Sequence, residues 1–274
     1  MRAARLYLRC AGVAVQGQLS RRYNLVLLAF GQLSIAVSAL IGVALLFSRF
    51  GSLAGYSFSE VLLCFGVTQT AFSLAEVVAR GFDSFSQVLA QGEFDRMLVR
   101  PRGSMFQVLA SRMELARLGR VSVGLACLAS ALAALVPGWA ADAIAVGQAG
   151  LLVLRLATLA FMTAGGMAIF SGIFILGASL AFITTDSLEI VNVLSDGGRE
   201  TAQYPLTIYE RAMRRFFTFV VPFGCVNYLP LEFVLGRPGS APWSACFPLV
   251  GFAFLAASTA VWNASARRYV STGS

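Results

Sequence analysis

LVLLAFGQLSIAVSALIGVALLF, residues Leu25–Phe47, is a run of 23 positions without one ionisable side chain. As a helix rising about 1.5 Å per residue, it is long enough to cross a hydrocarbon core of roughly 30 Å. Further apolar runs follow, and the expected spans are 25–48, 58–79, 119–137, 158–184, 213–231 and 244–264. The whole composition agrees: of 274 residues, 58% are hydrophobic and 12% charged, and mean hydropathy is +0.76. A soluble fold cannot cover that much apolar surface. The reading is an all-α integral membrane protein with six transmembrane helices in a single domain, 1–274.

The flanks of the spans set the orientation. Before the first span, residues 1–24 place Arg2, Arg5 and Arg9 on one helical side and Ala3, Leu6, Cys10 and Val13 on another, the pattern of an amphipathic helix lying in the membrane interface; the competing reading is a plain solvated arm. The apolar run behind it is too long for the h-region of a cleaved signal peptide, so an uncleaved N-terminus is expected. Eighteen Arg fall before span 1, in the 80–118 connection and its junction with span 3 (Arg120), in the 185–212 connection and its junction with span 5, and in the 265–274 tail. Only Arg49, Arg155 and Arg237 fall on the other side. Basic residues are retained in the cytoplasm, so both termini are expected there. A short extracytoplasmic helix is expected over 143–156, leading into span 4. Pro222, Pro230 and Glu232 interrupt apolar sequence after span 5, which predicts re-entrant or interfacial helical pieces facing outward between spans 5 and 6.

Two missing residue types exclude whole function classes. The chain has no His, and all 21 of its basic residues are Arg. A P-loop needs Lys to reach the β- and γ-phosphates, and zincin or triad chemistry needs His. The net charge of +8 is spread beside apolar segments and forms no basic nucleic-acid-binding domain. The five Cys show no metal-ligand spacing and read as small hydrophobes. No catalytic, cofactor or metal site is expected in this chain.

Three patterns remain. Gln69, Ser73 and Glu76 recur at helical spacing in span 2, on a face that avoids lipid. They either line a substrate path or bond a neighbouring helix. Small residues repeat every fourth position, Ser34, Ser38 and Gly42 in span 1 and Ala164, Ala168 and Gly172 in span 4, which permits close helix approach within the chain or between chains. The connection 80–118 is too patterned for a tether: Phe82, Phe85, Val88 and Leu89 make one apolar stripe, Gln91-Gly92 breaks it, and Phe94, Met97 and Leu98 make a second ending at Arg100-Pro101. A short helix presenting Phe, Met and Arg to the cytoplasm suits a groove in a soluble partner; the competing reading lays it on lipid headgroups.

With these features in place the chain resembles the six-span ABC-2-type exporter permeases of bacteria, in the branch of about 260 to 270 residues. The resemblance covers essentially the whole chain. It rests on Gly92-Glu93-Phe94-Asp95-Arg96-Met97-Leu98-Val99-Arg100-Pro101, on Ser195-Asp196-Gly197-Gly198-Arg199-Glu200 followed by Tyr204-Pro205, on Pro222 with Val226-Asn227-Tyr228-Leu229-Pro230, and on the tail Tyr269-Val270-Ser271-Thr272-Gly273-Ser274. It implies a permease half in the bacterial cytoplasmic (inner) membrane, paired with a second permease subunit, identical or related, and with two copies of an ABC ATPase that carry the ATP and Mg. It also implies that residues 93–100 are a coupling helix, with Glu93, Phe94, Asp95, Arg96, Met97, Leu98 and Arg100 contacting the ATPase, whose closure tilts the spans to open a central path. An ion-coupled secondary transporter using Glu76 or Glu232 is the alternative within transport, and a membrane scaffold the alternative outside it.

Overall fold

The computed structural model describes residues 2–145, 147–148, 150–184 and 187–269. The tail residues Val270–Ser274 and the side chains of Arg2, Ala3, Leu6 and Cys10, which carry part of the expected N-terminal stripe, lie outside the described residues. Within them the chain is helical, with no strand beyond an isolated bridge between Leu53 and Tyr56. Five stretches are long and apolar enough to cross a membrane: Arg22–Phe50, Phe58–Ala90, Leu115–Ile144, Gly150–Leu180 and Pro242–Arg268.

Helix α1 (Arg2–Leu19) leads through a tight turn into α2 (Arg22–Phe50), which ends where Gly51 takes φ +70°. A capping box then starts α3 (Phe58–Asp83): the Ser57 hydroxyl accepts from the Glu60 amide, and the Glu60 carboxylate accepts from the Ser57 amide at 2.7 Å. α3 is the axis of the molecule, buried along nearly its whole length, while α2 buries only Ala36, Val43 and Phe47. Three short helices follow, α4 (Phe85–Ala90), α5 (Glu93–Leu98) and α6 (Ser104–Ser111), before the long α7 (Leu118–Ala145) and α8 (Gly150–Leu180). The close crossing of α3 and α7 needs Gly66 and Gly124, where a Cβ would stand 2.8 Å from the Leu128 amide and 2.9 Å from the Thr70 amide. Among the described residues of 143–156 no separate helix forms: residues 143–145 end α7, Gly147 and Gln148 lie between the helices, and Gly150 starts α8, because apolar sequence on both sides extends each helix toward the turn.

The bundle has two ends. At one, Phe82, Phe182 and Trp262 meet; at the other, Tyr56, Glu232 and Arg237 meet. α9 (Ser187–Ala202) starts just after Phe182 at the Trp262 end and packs along α3 and α8. Its last carbonyl, Ala202 O, accepts from Thr68 at 2.8 Å, and Thr207 lies beside the Tyr56 hydroxyl. Residues 187–208 therefore run from one end of the bundle to the other, where a cytoplasmic loop over 185–212 was expected.

The single fifth helix expected over 213–231 does not form. Two pieces, α10 (Arg211–Val220) and α11 (Gly224–Val234), are bent against each other by 88° at Val221-Pro222-Phe223, since Pro222 cannot continue a helical ladder. Each carries a π-type stretch beside the bend, Phe216–Val220 and Gly224–Tyr228. The bend is buried: Phe223 packs on Phe170 with ring centroids 4.8 Å apart. α12 (Leu249–Arg268) closes the bundle against α8. The expected small-residue stripe of α8 is used here, Gly172 facing Phe254 and Ser258, whereas nothing lies over Gly42 of α2.

Candidate functional site

The residues expected to couple to a partner stand at the Trp262 end. Gly92, at φ +66°, turns the chain between α4 and α5, a backbone shape that glycine adopts without strain. α5 then plugs into the bundle by one side chain. Phe94 is fully buried, its ring 5.2 Å from Phe85, 5.3 Å from Phe182 and 5.2 Å from Tyr269. Trp262 closes the cluster 4.8 Å from Phe85. Phe94 therefore points inward, against the expectation that it faces the cytoplasm, because burying an aromatic ring in this cage outweighs leaving it in water. Met97 packs partly against the same core, while Asp95 accepts a hydrogen bond from the Tyr269 hydroxyl. What α5 leaves outside is Glu93, Arg96, Leu98 at 48% exposure, Val99 at 87% and Arg100.

The knob is fastened on a second side. Gly81 lets α6 lie on α3 so closely that a Cβ there would overlap the Val108 carbonyl. Gln107 donates to Met97 O at 2.8 Å and Arg102 O at 2.7 Å, and Gln18 of α1 clasps the far end of the segment through Met113 O and the Leu115 amide. Beside it opens a cleft of about 930 Å³ bounded by Gln87, Phe182, Thr184, Arg268 and Tyr269.

Gln69, Ser73 and Glu76 share one buried side of α3 and meet different neighbours. Glu76 is clamped by Arg117 Nη1 at 2.9 Å and Arg120 Nη1 at 3.1 Å; Arg117 also reaches Glu114 at 3.1 Å and Gln32 of α2 at 3.2 Å. Arg80 joins the same lattice through Asp83 and through Glu114 at 3.0 Å. Higher up, Gln69 Oε1 faces Gln203 Nε2 at 3.4 Å and Arg199 Nη1 at 3.5 Å, and Arg199 lies over the Phe72 ring, 5.2 Å from its centroid. Asn227 of α11 completes this seam, donating to Ala202 O at 2.6 Å and to Thr68 at 2.8 Å. Gln69 Nε2 is buried there without a hydrogen-bond partner; elsewhere along α3, Ser73 Oγ and Thr70 Oγ1, the latter against Gly124 of α7, are buried without one as well.

Sequence reasoning had no signal for Phe182, Trp262 or Tyr269 as anchors of α5, nor for Arg117 and Arg120 as partners of Glu76. All of these contacts cross long stretches of chain. At the Tyr56 end, Tyr56 bonds Glu232, and Arg237 bonds Glu60 at 3.1 Å while lying over the Tyr56 ring. Burial and the Glu232 carboxylate push the Tyr56 hydroxyl well above its ordinary range.

Set beside known families, residues 33–273 match one described as ABC-2 family transporter protein. No curated protein and no solved structure matches the chain.

Proposed function

We propose that this chain, which belongs to the ABC-2 family of transporter proteins, is a permease subunit of a bacterial ATP-binding-cassette exporter, a multi-pass protein of the cytoplasmic membrane driven by a separate ATPase. The observation that carries this reading is α5: a short helix whose inner side chain, Phe94, is locked into the bundle and whose outer residues Arg96, Leu98, Val99 and Arg100 are exposed. A push on that surface passes through Phe94 to α3, α12 and the end of α8 as a rigid-body movement. Two ATPase copies and a second permease half complete the proposed assembly.

The proposal includes a topology. With α9 and residues to 208 as the fifth crossing, the Trp262 end faces the cytoplasm with both termini. α10 and α11 then enter from the outer side, turn at Phe223 and return. Fourteen Arg lie on the cytoplasmic side and six on the outer side, namely Arg49, Arg155, Arg211, Arg214, Arg215 and Arg237, with Arg199 inside the bundle, which keeps the positive-inside bias. Gln69 and Ser73 come to line a translocation path when α9 moves off α3, and Glu76 with its arginines forms the inner end of that path. The unpartnered buried Nε2 of Gln69, on the side chain that faces Arg199 and Gln203, supports this, since such a group is satisfied by water once the seam opens.

The test is purification from the native host through a C-terminal tag, in a detergent that preserves known ATPase–permease complexes. A stoichiometric P-loop ATPase is the expected companion, and a second six-span chain, or none, separates heterodimer from homodimer. Reproducible absence of any ATPase would sink the reading and favour ion-coupled transport.

A further inference from the structure

Apart from Arg49, which stands alone at the end of α2, the guanidinium groups at the Tyr56 end fall into two conditions. Arg155 and Arg237 have carboxylates, Asp142 at 3.8 Å and Glu60 at 3.1 Å. Arg211, Arg214 and Arg215 make no ion pair among the described residues, although they stand within five positions of one another. With Thr218 and Tyr228 they surround a cavity of about 480 Å³, whose apolar lip is the exposed Phe219. The carboxylates nearby are not available to them: Glu232 is bonded by Tyr56, Glu60 is held by Arg237, and Glu210, next to them in sequence, is within ion-pair distance of none of the three.

Three like charges gathered beside a cavity repel one another, and basic residues are selected against on the translocated side of a membrane. Both costs are offset if an anion occupies the cavity. Guanidinium forks match phosphate oxygens two at a time, and the Tyr228 hydroxyl adds a neutral polar group; the Thr218 hydroxyl is committed to the Arg214 carbonyl at 2.7 Å. We infer that the Arg211–Arg214–Arg215 pocket binds a phosphate group at the outward rim of the permease, carried either by an anionic lipid headgroup or by a water-soluble phosphate ester. The placement of this pocket on the outer side rests on the topology proposed above; the pocket itself does not.

The full chain, purified in nonionic detergent and depleted of lipid, is melted while two probes are titrated separately: glycerol 3-phosphate, and a short-chain phosphatidylglycerol below its micelle concentration. The wild type shows a saturable rise in Tm. Each guanidinium lost from the anion weakens apparent affinity about tenfold, so Arg214→Gln shifts the titration and the triple change to Gln abolishes it. Arg237→Gln, at the same end but paired, leaves it unchanged. Response to both probes assigns a soluble phosphate ester, and response to the lipid alone assigns a headgroup. A wild type that responds to neither probe overturns the inference, as does an Arg214→Gln variant that responds like wild type; neither outcome requires the triple variant to fold. Sidedness is read independently, by labelling Arg215→Cys in a Cys-free background. Labelling from the cytoplasm only would sink the topology and leave the pocket standing.

Discussion

Glu76 shares its burial with two arginines, and a carboxylate so placed is expensive to remove because its partners are left charged and unpaired. Glu76→Gln should lower stability by about 3 kcal/mol, read as a fall in Tm, and Glu76→Gln with Arg120→Gln should recover part of it, a coupling visible in a double-mutant cycle. A loss of transport at unchanged Tm would instead make Glu76 a path residue before a structural one. Tyr269 gives a second residue-scale prediction. Burial, then the Asp95 carboxylate, raises its hydroxyl above the ordinary value of 10.0. The folded pKa is the higher one, so the contribution of the Tyr269–Asp95 bond is complete below pH 10 and is lost as pH rises through the raised value. Tyr269→Phe should remove this alkaline step from the stability profile measured at rising pH. The polar face Gln69, Ser73, Glu76 was readable from spacing alone. Its partners were not, because Arg117 and Arg120 look the same in sequence whether they mark a cytoplasmic flank or turn inward to a carboxylate.

Among the elements, α5 and α9 show where pattern succeeds and where it stops. Gly92 and Pro101 bracket α5 in the sequence, so its existence and length were legible. The direction of Phe94 was not, because the rings that enclose it come from Phe85, Phe182, Trp262 and Tyr269. The two sides of this helix should separate by mutation. Phe94→Ala opens a cavity among aromatic rings and should cost about 3 kcal/mol of stability. Leu98→Asp with Arg96→Glu changes only exposed positions, so Tm and membrane insertion should hold while ATPase-driven transport collapses; normal export by the double variant would remove α5 as the docking element. α9 escaped the sequence for a different reason. Asp196, Arg199, Glu200 and Gln203 make it read as a water-exposed connection, and a hydropathy window cannot register that Arg199 lies on Phe72 and beside Gln69 inside the bundle.

At the scale of the whole molecule, the arrangement turns on which side of the membrane the α10–α11 bend opens. Apolar runs predict six spans, five of which are long helices in the structure, while the expected fifth span over 213–231 is bent at Pro222. Composition alone could not tell a bent fifth span from a crossing by α9 followed by an excursion, because both use the same apolar residues. The contacts support the excursion proposed above: Glu232 bonds Tyr56 and Thr207 lies beside it, so the chain between them leaves and returns at one end. That geometry predicts the labelling of single cysteines by a membrane-impermeant maleimide in intact spheroplasts. Cys246, exposed in the turn before α12, should react from outside when kept as the only cysteine, and so should Arg211→Cys in the Cys-free chain. Arg100→Cys, on the exposed end of the α5 segment, should react only after permeabilisation. If α10 and α11 were instead the two halves of one crossing, Arg211→Cys and Cys246 would lie on opposite sides, and only Cys246 would react before the membrane is opened.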